Sequence, residues 1–175
     1  MNLVTFAPLW LLVLFACALL AAAIEDAMRL RISNLTSLAV FVGAIVAAVV
    51  EGPGWELWQN GAVFAILLVL GTAAFAAGWL GGGDVKLFAA TGLWFDLGSA
   101  LPLVSTVFLA GGLVAICYVL SRPLRRRVAG KPKWGRVPYG IAIAVGALTM
   151  IALDARAIGH HERPLPPINI GSARS

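Results

Sequence analysis

Charge is what this sequence lacks. Only 12% of its 175 residues are Asp, Glu, Lys or Arg, against 61% hydrophobic, and the mean hydropathy is +0.93. Soluble domains carry about 25% charged residues and 45–50% apolar ones, so a water-soluble globular protein is excluded. Cysteine is scarce as well. Cys17 and Cys117 each lie inside an apolar run with no CxxC and no nearby His to complete a metal site, and read as two buried small hydrophobes. The two histidines, His160 and His161, are adjacent near a polar end and lack further ligands, a poor zinc pattern. No metal or other cofactor is implied, and no Ser–His or Cys–His arrangement offers a nucleophile.

What is present is a series of long apolar runs. A span needs about 20 apolar residues, so the chain has room for about six helices with short connections and none for a separate soluble domain. The fold class expected is all-α, a polytopic integral membrane bundle over 1–153, followed by a polar tail, 154–175, that is not forced into structure. The net charge of +5 and pI near 9.9 are read as orientation signals, with no nucleic acid as partner.

Taken in order, Met1–Ile24 reads as a retained first helix, since it runs directly into charge without a cleavage site. Glu25 to Asn34 reads as the first loop, in which Glu25–Arg29 is an i,i+4 pair. Spans are expected over Leu35–Val50, Gly61–Leu80, Leu101–Leu120, with Pro102 in its first turn, and Val137–Leu153. Val85–Phe95 is apolar but only about 16 Å long as a helix, short of the roughly 30 Å hydrocarbon core. Glu51–Glu56 has turn residues, two acids, no base and Trp55, which pairs with Trp58 to suit an outer-face loop with an aromatic belt. Arg122 to Arg136 holds seven bases and no acid, an orientation anchor touching anionic lipid headgroups. Under this arrangement ten of the 13 Lys and Arg fall on one side: two in the first loop, Lys86 in the second and seven in the third. That side is expected to be cytoplasmic, with both termini outside. Asn34-Leu35-Thr36 fits a glycosylation sequon but sits on the cytoplasmic boundary.

Two carboxylates stand out. Gly81-Gly82-Gly83-Asp84-Val85-Lys86-Leu87 puts three glycines and two charges between apolar segments. A charge at mid-bilayer costs roughly 2.5–3.5 kcal/mol on insertion scales, so an aspartate here is a functional candidate; the bland reading is a glycine-rich turn with a solvated Asp. Counting crossings brings Asp26 to the same face as Asp84. Two such carboxylates suit aspartic-protease chemistry, in which the pair shares one proton and one member activates water. Lys86 is expected to snorkel toward headgroups without neutralising the pair.

At these residues the sequence resembles the type IV prepilin peptidases. The Gly81–Leu87 stretch is similar to their GxGDxKL motif, Asp26 with Ile32 and Asn34 to their Asp spaced ahead of Ile-Pro-Asn, and Val137-Pro138-Tyr139-Gly140-Ile141-Ala142 to their last helix. The resemblance implies a bacterial inner-membrane aspartic endopeptidase, its active site facing the cytoplasm, that removes the leader of prepilins or pseudopilins. It implies Asp26 and Asp84 as catalytic residues, with Gly81, Gly83, Lys86 and Asn34 in support. Ser33 stands where the family usually has proline, a change expected to loosen the start of the second helix. The paired CxxC motifs that accompany methylation in long members are missing, so a short peptidase without that activity, as in Flp or Tad-type pili, is expected. The alternatives are a presenilin-like or signal-peptide-peptidase-like protease, whose Tyr-Asp and Pro-Ala-Leu motifs are not found here, and a small transporter or scaffold using the carboxylates for ions or packing.

Overall fold

The structure, a computed structural model, describes residues 2–52, 54–120 and 139–161, the side chains of Tyr118 and of 155–161 excepted. The basic stretch Arg122–Arg136, most of the expected tail and the two histidine side chains therefore lie outside the described residues. Within them every regular element is a helix: α1 Leu3–Phe6, α2 Leu9–Arg29, α3 Asn34–Glu51, α4 Leu57–Ala76, α5 Gly82–Gly92, α6 Leu97–Leu120 and α7 Tyr139–His161.

Several boundaries differ from the sequence reading, each for a local reason. The first apolar run is broken at Ala7, which is extended (φ −60°, ψ 142°) because Pro8 follows it. At its other end α2 continues through Glu25-Asp26-Ala27-Met28 to Arg29 and stops at Leu30, which adopts left-handed φ 51°, ψ 34°. Asp26 thus lies in the last turn of a helix, not in a loop. Helix α4 begins and ends four residues before the expected run; Gly78 at φ +78° lies just past its end. Helix α6 starts at Leu97, where the Asp96 carboxylate accepts the Ser99 amide at 2.9 Å, so Pro102 falls inside the helix and not in its first turn. Helix α7 runs past Leu153 to His161.

Four helices (α2, α3, α4 and the Leu97–Cys117 part of α6) are long and apolar enough to cross a membrane, and Tyr139–Asp154 of α7 adds a shorter apolar stretch. No more than 28% of any of those four spans is buried inside the bundle. So much outward-facing apolar surface is stable only in lipid, and the chain is a multi-pass membrane protein.

Helix α5 covers just 11 residues and packs on α3, α4 and α7. Its C-terminal carbonyls end within the protein, where they need partners. They have them: the Trp94 and Phe95 amides reach Thr91 and Gly92 at 3.1 Å, and Asn60 Nδ2 of α4 donates to the Leu93 carbonyl at 3.1 Å. The Leu3 amide of α1 donates to the Trp94 carbonyl at 3.0 Å. Short helix α1 therefore closes the bundle where α5 stops. Asn2 pins this end further, donating to Asp154 at 2.8 Å and to Ser99 at 3.3 Å. The core gathers around Trp94, fully buried, stacked on Phe15 with ring centroids 4.1 Å apart and donating from Nε1 to the Val40 carbonyl at 3.1 Å.

Candidate active site

The opposite end of the bundle, where α2 finishes and α3, α5 and α7 begin, collects the polar motifs. Asp26 is only 3% exposed. A buried carboxylate needs hydrogen-bond donors, and the first turn of a helix has spare amides. Gly140, at the start of α7, donates its amide to Asp26 Oδ2 at 2.6 Å, and the Ile141 amide also faces that carboxylate. This approach requires glycine. A Cβ on residue 140 would lie 2.9 Å from both Asp26 Cβ and Oδ2 and 2.8 Å from Ile32 Cδ1.

Asp84 is the third residue of α5, half-buried, and accepts the Gly81 amide on Oδ2 at 3.0 Å, so it caps its own helix. Gly81 and Gly83 are both hemmed in. A Cβ on Gly81 would meet Asp84 Oδ2 at 2.7 Å, and one on Gly83 would meet the Ile32 carbonyl oxygen at 3.1 Å. Ile32 therefore reaches the surroundings of both carboxylates: its side-chain tip abuts Gly140 beside Asp26, and its backbone abuts Gly83, the residue before Asp84. The structure brings the two aspartates to one end of the bundle, with Ile32 packed against Gly140 on one side and Gly83 on the other.

Lys86 Nζ donates to Asn34 Oδ1 at 3.0 Å, tying the first turns of α5 and α3 together. The lysine thus has a polar partner within the protein, where snorkelling toward headgroups was expected. Behind this pair an apolar cleft of about 320 Å³ opens between α3, α4 and α5, floored by Ala89 and Ala90.

The short link from α2 to α3 is more firmly held than its sequence implied. Ser33 is the N-cap of α3, its Oγ accepting the Thr36 amide at 3.1 Å, which supplies in place of proline a different way of fixing the helix start. Glu25 Oε2 accepts the Ser33 amide at 2.9 Å and the Thr36 hydroxyl at 3.0 Å. Its hydrogen bonds therefore run across the link, not along α2 toward Arg29. Among the described residues no group of three His, Cys, Asp or Glu could hold a metal ion.

With this geometry in view, the comparisons with known proteins are specific. The family model described as the type IV leader peptidase family matches residues 13–120, more than half of the chain. The chain belongs to the type IV leader peptidase family. It is also 30% identical over 138 residues to the prepilin leader peptidase/N-methyltransferase of Bacillus subtilis (strain 168), covering 78% of this chain and 52% of that protein. The chain thus spans about half the length of that curated relative. No solved structure matches it significantly.

In this leader peptidase family member the matched region contains Asp26 and Asp84 but ends before Gly140. Gly140, Ile32 and Glu25 are the site residues whose structural parts sequence reasoning missed. Gly140 lay in a stretch already similar to the family's last helix, and its position after a Pro-Tyr pair was the available signal. Ile32 was noted for motif spacing alone. Glu25 gave no signal, because a carboxylate four residues before an arginine on a helix reads as a surface pair.

Proposed function

We propose that this chain is a membrane aspartic endopeptidase that cleaves the leader from prepilins or pseudopilins, with Asp26 and Asp84 as its catalytic pair. The observation carrying this reading is the Ile32 bridge, which joins the surroundings of two carboxylates from separate helices in a chain of this family. In the reaction one carboxylate takes a proton from the water attacking the peptide carbonyl. Its protonated partner donates to the developing oxyanion and then helps the amine leave. Gly140 and Gly81 hold one oxygen of each carboxylate in place through their amides, which fixes the side chains before substrate arrives. Asn34 and Lys86 keep α3 and α5 in register beside the pair, and the apolar cleft gives room for an apolar stretch of substrate.

The cleavage is assigned to the cytoplasmic face of a bacterial inner membrane, because Arg29, Arg31 and Lys86 lie at the site end. The relative's name joins two activities; in these 175 residues, which hold no CxxC, only the peptidase is proposed, as in Flp or Tad-type systems. The test is co-expression with a candidate prepilin, reading cleavage by mobility shift and N-terminal sequencing. Asp26→Asn and Asp84→Asn are each expected to abolish processing at unchanged membrane levels, and Asp96→Asn, at the far end, to leave it intact. Full activity in either of the first two would overturn the assignment. Incubating the mature product with S-adenosylmethionine and this protein should add no methyl mass.

A further inference from the structure

We infer that Glu25 is a positioning residue for the carboxylate pair, acting through the segment 30–33 and Ile32. This rests on the peptidase reading for its catalytic consequence but not for its geometry. Glu25 adjoins Asp26 on the last turn of α2 and is half-buried. Its Oε2 receives the Ser33 amide at 2.9 Å and the Thr36 hydroxyl at 3.0 Å, while Ser33 Oγ and Thr36 Oγ1 share a further hydrogen bond at 2.7 Å. One carboxylate oxygen therefore closes a loop from the end of α2 to the start of α3. The four residues enclosed begin with Leu30, the one non-glycine residue with positive φ among those described, and include Ile32. Left-handed backbone is disfavoured for leucine, so the segment needs an outside constraint to hold its shape. Ile32 carries that shape to both sites, since it touches the space beside Gly140 and the space beside Gly83.

The device has a built-in alternative. Ser33 sits at φ −72° and ψ 148°, a conformation proline adopts without strain, and proline has no amide to donate. Ser33→Pro would fix the same backbone by ring closure and release Glu25 from part of its work. Glu25 and Ser33 thus form one unit whose members are not independent.

The experiment uses the full chain in lipid nanodiscs with a purified prepilin. In Glu25→Ala, kcat should fall by about 10- to 100-fold with KM little changed, the scale of an ångström-size misplacement of reacting groups. Glu25→Gln retains an acceptor oxygen and should keep most of the rate. In a Ser33→Pro background, Glu25→Ala should cost much less than it does alone. Hydrogen exchange supplies a readout that needs no activity. Glu25→Ala should speed exchange at 81–84 and 139–141, far from it in sequence, and Glu25→Gln should not. A lowered melting temperature with unchanged kcat and unchanged exchange at those two segments would overturn the inference. If the wild type cleaves no prepilin yet exchange at both segments responds to Glu25→Ala, the peptidase reading fails and the positioning role stands. Equal losses from Glu25→Ala in the wild-type and Ser33→Pro backgrounds would refute the coupling.

Discussion

Gly140 leaves no room for a side chain beside Asp26. A methyl group there would stand 2.9 Å from Asp26 Oδ2, where real contacts do not occur, so α7 would have to retreat and draw its amide away from the carboxylate. Gly140→Ala should therefore reduce prepilin processing by at least about tenfold, the value of roughly 1.4 kcal/mol, while the protein still accumulates in the membrane. Processing at the wild-type rate in this variant would mean that the Gly140 contact is dispensable. Leu30 presents the opposite case. Its left-handed backbone costs about 1–2 kcal/mol relative to the right-handed form, and Leu30→Gly should raise the thermal stability of the purified protein by up to about 1 kcal/mol. Asp84 stood out in the sequence because a charge between apolar runs needs a reason, and Asp26 followed only from counting crossings to the same face. Gly140 did not stand out, because it is one of 19 glycines and its partner lies 114 residues away.

Among the elements, α5 has the most unusual requirement. Its short length could be read directly from the distance between the glycine break and Asp96. What completes it could not, because the donors to its C-terminal end come from Asn60 and Leu3, on segments with no local pattern linking them to Leu93 and Trp94. Helix ends shifted for a similar reason: Leu30, Gly78 and the Asp96 cap act through backbone conformation, whereas the apolar runs mark only which residues face lipid. Trp94 joins α5 to the rest of the core, and a two-step series separates its contributions. Trp94→Phe removes the bond to the Val40 carbonyl while leaving a ring against Phe15, and should cost about 0.5–1.5 kcal/mol. Trp94→Ala opens a cavity in the centre of the bundle and should cost about 3–5 kcal/mol. Thermal denaturation in detergent reads both, and equal losses would show that the hydrogen bond, not the ring volume, dominates.

At the scale of the whole molecule, hydrogen bonds and close contacts fix which ends lie together, and charge decides which way the bundle faces. Asp26, Gly140, Gly83, Asn34 and Lys86 share one end; Asn2, Trp94, Ser99 and Asp154 share the other. The first group carries Arg29, Arg31 and Lys86 within a few residues, while the far end of α3 and the start of α4 carry Glu51 and Glu56 and no base. Basic residues in short loops are retained on the cytoplasmic side, so the aspartate end should face the cytoplasm. Single cysteines can test this once Cys17 and Cys117, which lie exposed on the lipid-facing helices and not buried as their apolar runs suggested, have been replaced. Arg31→Cys, on the exposed link between α2 and α3, should react with an impermeant maleimide only after the membrane is opened, and Trp55→Cys, 90% exposed at the other end, should react in intact cells. Labelling of both positions in intact cells would break the crossing order itself. Labelling of position 31 alone would keep the bundle and invert it, placing the paired aspartates outside, where a leader still inside the cell could not reach them.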